Sequence, residues 1–319
     1  METAELVTRT AVLMGSPFVI QAYVPNSQST PDIEKLMDLA FGEIARIEDL
    51  LTDFRDSPLN RINDGAGLAP VAVDREIFDL VQLSLRTSRD SDGAFDISYA
   101  SVGRLWRTAM TRGIPPTDDE IRRAKEFVNF RNIQIDETHR TVFLPHRHMK
   151  IGLGGIGKGY AVDRAFQMLR NHGLENFVVN GAGDIHVHSS QSAPRPWRIG
   201  IRNPFADRDI AMGYLEIRNG AVATSGDYER FFRHQGKKYH HVIDGRTGEI
   251  TELVSSATIL SNSTTSADIC ATTAMALGPV EGLNFLNRRR GLSGFLVTRE
   301  GHVLKTQSLA SHEVSHGLA

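Results

Sequence analysis

The 319-residue sequence predicts one compact α+β unit of mixed sheets with packed helices, on three observations. Amphipathic helical segments and short β-patterned runs are interspersed along the whole chain, no Pro-rich or Gly/Ser-rich linker separates them, and there is no internal repeat. At roughly 100–200 residues per domain the length allows one large unit or two closely joined ones. A division into two lobes, about 10–150 and about 151–310, is left open. With 40% hydrophobic and 23% charged residues the composition is that of a globular protein, which excludes disordered, collagen-like and disulfide-scaffold classes.

Alternation in Val19-Ile20-Gln21-Ala22-Tyr23-Val24, closed by Pro25-Asn26, predicts a first strand. Pro31-Asp32 opens a helix over 33–54, in which Leu36, Leu39, Ala40, Ile44, Ile47, Leu50 and Leu51 recur at helical spacing. A helix from 74 to about 90 puts Ile77, Leu80, Val81 and Leu85 on one face and stops before Gly93. Another, 118–127, follows Pro115-Pro116 with Thr117 as its N-cap. Two short strands are expected within 133–144, around Asp136-Glu137-Thr138. The glycine-rich stretch 153–159 then leads into a helix over 160–169, ended by Asn171-His172-Gly173. Strands follow at 177–180, 185–188, 197–202, 212–218 and 256–260, with a helix at 267–277 before Gly278-Pro279. The segments 293–297 and 302–305 make a hairpin across Arg299-Glu300-Gly301.

Several function classes drop out early. Lys plus Arg number 36 against 38 Asp plus Glu, and the densest basic run, Arg288-Arg289-Arg290, is short, so no nucleic-acid partner is expected. No segment approaches the ~20 apolar residues of a membrane span. One cysteine, Cys270, cannot close an internal disulfide. The start, Met1-Glu2-Thr3-Ala4-Glu5, is acidic where a secretory leader is basic. A soluble, cytoplasmic protein is therefore expected, or a periplasmic one if a leader precedes this sequence.

Three stretches concentrate chemistry. Gly152-Leu153-Gly154-Gly155-Ile156-Gly157-Lys158-Gly159 stands before a helix, where free N–H groups and a lysine suit phosphate oxygens. It matches neither the P-loop nor, except loosely, the dinucleotide fingerprint, and a tight turn with Lys158 facing water fits it equally well. Asp268 and Thr272 lie at i and i+4 on a predicted helix, so their oxygens share a face suited to a hard cation such as Mg²⁺. A helix-dipole acid with a threonine bonded back to the helix accounts for the same pair. Between Thr224 and Gly248 hydroxyl, carboxylate, imidazole and guanidinium groups gather around turns. His139, His146 and His148 match no zinc spacing, and no Gly-x-Ser-x-Gly elbow occurs.

In order, these segments resemble the ApbE family of flavin transferases, which move FMN from FAD onto a protein threonine or serine. Met14-Gly15-Ser16, Phe54 to Asn63, Gly93-Ala94-Phe95-Asp96-Ile97-Ser98, Gly154 to Asp163, Asn180 to Asp184, Thr224 to Tyr228, His240 to Gly248 and Ala267 to Thr272 carry the resemblance, from about residue 14 to about 308. It implies an ApbE-like, T-fold-like architecture, with Asp268, Thr272 and the Gly155 carbonyl as Mg²⁺ ligands. It implies FAD-site positions at Met14, Phe54, Ala94, Phe95, Asp96, Lys158 and Ile250, and catalytic positions at His241 and Asp227. The implied activity is Mg²⁺-dependent FMN transfer from FAD to an acceptor flavoprotein, with an FAD pyrophosphatase or a non-catalytic flavin-binding accessory protein as alternatives. Three positions depart from the family. Gly152 stands where many members have Asp, implying a lost or replaced contact to the nucleotide. Gly245 stands in place of Pro, implying a looser turn after His241. Ser98 stands in place of Thr and keeps the hydroxyl.

Overall fold

The computed structural model describes residues 4–25, 29–191, 194–207 and 210–311; Met1-Glu2-Thr3 and Asn26, which entered the reading above, lie outside them. Strands β1 (Ala4–Leu13) and β2 (Ser16–Pro25) pair antiparallel along their full length. Their two-residue turn places both Met14 (φ 52°) and Gly15 (φ 67°) in the left-handed region, the geometry of tight hairpins. Helix α1 (Thr30–Leu51) begins earlier than its periodicity suggests, because Pro31 suits the first turn. It buries Met37, Ala40, Phe41, Ile44, Ile47, Leu50 and Leu51, whereas Leu39, expected on that face, is exposed. Helix α2 (Pro58–Asp64) is capped by Ser57, whose Oγ accepts the Asn60 N–H at 3.0 Å. Strand β3 (Val71–Ala72) precedes α3 (Arg75–Asp90), α4 (Ala100–Arg112) and α5 (Asp118–Lys125). As expected, Thr117 caps α5, here in a reciprocal capping box with Glu120.

Strands β4 (Gln134–Asp136) and β5 (Thr141–Phe143) complete a small sheet in the order β3-β5-β4. Then come α6 (Gly157–Asn171), β6 (Phe177–Gly181), β7 (Asp184–His188), the ribbon β8 (Trp197–Arg202) with β9 (Ala211–Ile217), and β10 (Gly220–Gly226). A second ribbon, β11 (Phe231–His234) with β12 (Lys237–His240), leads to β13 (Val254–Ser261). The rest is α7 (Thr264–Leu277), α8 (Pro279–Asn287), β14 (Ser293–Thr298) and β15 (Val303–Lys305). An eight-stranded sheet in the order β1-β2-β6-β7-β10-β13-β14-β15 organises the molecule, and each of its pairings is antiparallel.

Side-chain alternation sends the two faces of this sheet to different cores. Phe177 and Val179 of β6 join Phe18, Ile44, Val162, Ile259 and Ala271 in the main apolar core, where α1, α6 and α7 cover the sheet. Val178, between them, joins Val187, Val222, Trp197, Ile199 and Leu215 under the β8–β9 ribbon. A third cluster, Val102, Trp106, Ile121, Val128 and Ile250, ties α4 and α5 to the loop after β12.

Candidate functional site

A cavity of about 630 Å³ opens where the β1–β2 turn, the end of α1, the start of α6, the end of β10, α7 and His241 converge. Its size suits a small-molecule ligand. The starts of α6 and α7 cross at Gly159, where a Cβ would lie 2.6 Å from the Thr264 carbonyl oxygen and 2.8 Å from Asp268 Cβ. Each helix caps the other. Asp268 Oδ2 accepts the Gly159 N–H at 3.0 Å. Asp163 of α6 accepts the N–H groups of Thr264 and Thr265, both at 2.8 Å, and the hydroxyls of Ser263 and Thr265. Burial alone would raise the Asp163 carboxyl, but hydrogen bonds from His186 and Thr265 hold it down at about 2.

This crossing sets the candidate cation site. One turn beyond Asp268, Thr272 Oγ1 meets Ser225 Oγ at 3.1 Å, and Gly155 packs so closely that a Cβ there would be 3.1 Å from Thr272 Cγ2. The three positions expected to ligate Mg²⁺ are thus neighbours. Asp268 is 4% exposed and faces the cavity, and among the described residues its Oδ1 has no hydrogen-bond donor. Burial pushes its carboxyl up while Lys158 pulls it down. A carboxylate, a hydroxyl and a backbone carbonyl form an all-oxygen set, which fits a hard divalent cation. Among the described residues no three His, Cys, Asp or Glu side chains gather as a metal set.

Lys158 does not simply face water: its Nζ donates to Asp184 Oδ2 at 2.6 Å, and burial is outweighed by Asp184 and Asp268, which hold the ammonium charged. His241 also lines the cavity. Its Nδ1 lies 3.4 Å from the Arg230 carbonyl, which can only accept, so the proton sits on Nδ1 and Nε2 keeps its lone pair. Surrounding protein, with His240 next, pushes the ring down to about 4. The side of the ring open to cavity water works against that depression, and either way the imidazole is neutral at pH 7.

The ApbE family profile matches residues 14–296. The chain belongs to the ApbE family. It is 34% identical over 296 residues to the FAD:protein FMN transferase of Klebsiella pneumoniae (strain 342), covering 92% of this chain and 90% of that one. To that of Escherichia coli (strain K12) it is 29% identical over 264 residues, covering 81% and 74%. Among solved structures, the ApbE protein of Thermotoga maritima matches with a TM-score of 0.85 at 28% identity, over 98% of this chain and 100% of that one. The flavin transferase ApbE from Vibrio cholerae matches with a TM-score of 0.81 at 26% identity, over 97% and 99%. Among the described residues no helix is long and apolar enough to cross a membrane.

Within this ApbE chain the other expected site residues divide. Met14 and Phe54 line the cavity. The Phe54 ring is 75% exposed, with the Arg107 guanidinium 4.8 Å from its centroid and Arg107 itself bonded to Asp53 at 2.6 Å. Ala94, Phe95, Asp96 and Ile250 do not line the cavity. Phe95 instead abuts Gly155, Asp96 accepts from Ser98 N, Ser98 Oγ and Phe130 N, and Ile250 belongs to the third apolar cluster. Asp227, expected beside the histidine, is buried against Lys238 at 2.7 Å, and Glu229 and Arg230 from the same segment reach the cavity in its place.

Gly245, where a looser turn was expected, is tied to the segment around Ala94 and Asp96. Its N–H donates to the Ala94 carbonyl at 2.9 Å, a bond that proline cannot make, and a Cβ would lie 2.6 Å from Asp96 Cβ. Ser98 keeps the expected hydroxyl role, donating to Asp96 at 2.6 Å. At Gly152 the room for a side chain is taken by Tyr99, whose Oη would be 3.2 Å from a Cβ there. Tyr99 escaped the sequence reading, as did Glu48, whose Oε2 accepts the N–H of left-handed Met14 at 2.7 Å. Glu48 sits among the polar residues of an amphipathic helix, where no pattern distinguishes it.

Proposed function

We propose that this ApbE protein is a Mg²⁺-dependent FAD:protein FMN transferase, which joins FMN by a phosphoester bond to a Thr or Ser hydroxyl of an acceptor flavoprotein and releases AMP. The supporting observation is that one cavity is lined both by His241, a neutral imidazole with a free Nε2, and by Asp268 and Thr272, with Gly155 packed against Thr272. Both expected lobes, about 10–150 and about 151–310, contribute residues to it. The proposed compartment is the cytoplasm, in keeping with a free, buried Cys270.

Asp268, Thr272 and the Gly155 carbonyl would hold Mg²⁺, which when bound neutralises charge on the FAD pyrophosphate. His241 Nε2 takes the proton of the incoming hydroxyl. That oxygen bonds to the phosphorus of the FMN half while the bond from this phosphorus to the AMP oxygen breaks, and AMP leaves with the bonding pair. Lys158 and Arg230 supply positive charge in the same cavity, and Met14 and Phe54 supply apolar contact for a ring system. The test is incubation with FAD, Mg²⁺ and a candidate acceptor flavoprotein. Covalent flavin fluorescence on the acceptor, with one AMP per flavin, is expected. Free FMN plus AMP would make the protein a pyrophosphatase, and intact bound FAD an accessory protein.

A further inference from the structure

Asp184 belongs to a segment that the sequence singles out and that the proposed chemistry leaves unused. It follows the tight turn between β6 and β7, in which Ala182 (φ 54°) and Gly183 (φ 101°) are both left-handed and Asn180 Oδ1 accepts the Gly183 N–H at 2.9 Å. That turn fixes where the carboxylate emerges. Asp184 is 1% exposed and does not line the cavity. Among the described residues, Lys158 Nζ is the one side-chain donor to it. Lys158 does line the cavity, and so does Asp268, whose backbone partner Gly159 directly follows Lys158. The Lys158 ammonium is therefore bonded to the carboxylate behind the cavity wall and attracted by the charge of the one facing in.

We propose that Asp184 is a positioning residue that parks the Lys158 ammonium away from Asp268, so that Asp268 stays open to a divalent cation. Without Asp184 the ammonium turns to the nearest remaining buried anion, because a buried charge left unpaired is costly. The chain's own lysine then occupies the cation's place. The inference rests on the cation site of the proposed function, and its test separates the two.

Mn²⁺ binding to the full chain, at FAD saturating for each variant and without acceptor, is followed by loss of the free-ion EPR signal. Asp184→Asn is expected to weaken Mn²⁺ at least about tenfold, and Asp184→Asn/Lys158→Met to restore affinity to within about threefold of Lys158→Met alone. Lys158→Met thus acts far more strongly in the Asp184→Asn background than in the wild type, a coupling that independent charges do not produce. Unchanged Mn²⁺ affinity in Asp184→Asn, or the same effect of Lys158→Met in both backgrounds, overturns the inference while leaving the cation site intact. If Asp184→Asn does not fold, Asp184→Ser replaces it in the same cycle. A wild type that takes up no Mn²⁺ removes the cation site itself.

Discussion

Asp163→Asn removes the charge from the carboxylate that caps α7, the helix bearing Asp268 and Thr272. The Asp163 carboxyl is held at about 2 against an ordinary 3.8. At ~1.4 kcal/mol per tenfold change in proton affinity, this stabilises the fold by about 2 kcal/mol at neutral pH. A depressed carboxyl contributes fully above its unfolded value, and the contribution fades as pH falls from about 4 towards about 2. Thermal unfolding followed by near-UV circular dichroism should show Asp163→Asn melting about 3 °C below wild type at pH 7, with a narrower gap at pH 3. FMN transfer should fall with it, because a frayed α7 start no longer holds Asp268 against Gly159. A gap under about 1 °C at pH 7, or an equal gap at both pH values, would refute the capping argument.

Two further substitutions probe the chemistry and the helix crossing. His241→Ala should leave FAD binding, read by flavin fluorescence quenching, close to wild type while transfer slows about 10²-fold or more; parallel loss of both would make His241 a positioning group. Because this imidazole is pushed down from 6.5 to about 4, wild-type transfer should show no loss from it until pH falls well below 6.5, whereas a midpoint at 6.5 would contradict the depression. Gly159→Ala forces a Cβ against the Thr264 carbonyl, and should cost about 1–3 kcal/mol of stability in a denaturant titration and at least about tenfold in transfer rate. Unaltered stability and rate would mean that the crossing relaxes freely.

Much of the fold is legible wherever a buried face imposes its period. Helix α3 appears where its apolar face predicts it and α5 where its cap Thr117 does, and α1, α6 and α7 appear with ends shifted by a few residues. Three helices went unread for local reasons. In α2 and α8 a proline stands in the first turn, where it starts a helix, although Gly278-Pro279 reads as punctuation. Helix α4 carries Val102, Trp106 and Ala109 inward, but Gly103 weakens the helical signal. Strand β1 lies at the sheet edge, with Leu6 and Val12 exposed, so its alternation is blurred until β2 supplies a partner. At the site, the i, i+4 spacing foretells that Asp268 and Thr272 share a face. The Asp163 and Asp184 contacts join residues far apart in sequence, and no local pattern encodes them.

FMN transfer by Asp268→Ala addresses the oxygen cluster most directly. With FAD, Mg²⁺ and an acceptor flavoprotein, the folded variant should label no acceptor, and wild type should lose its labelling when the metal is chelated. Equal labelling by the variant with and without chelator would contradict a divalent cation held by Asp268.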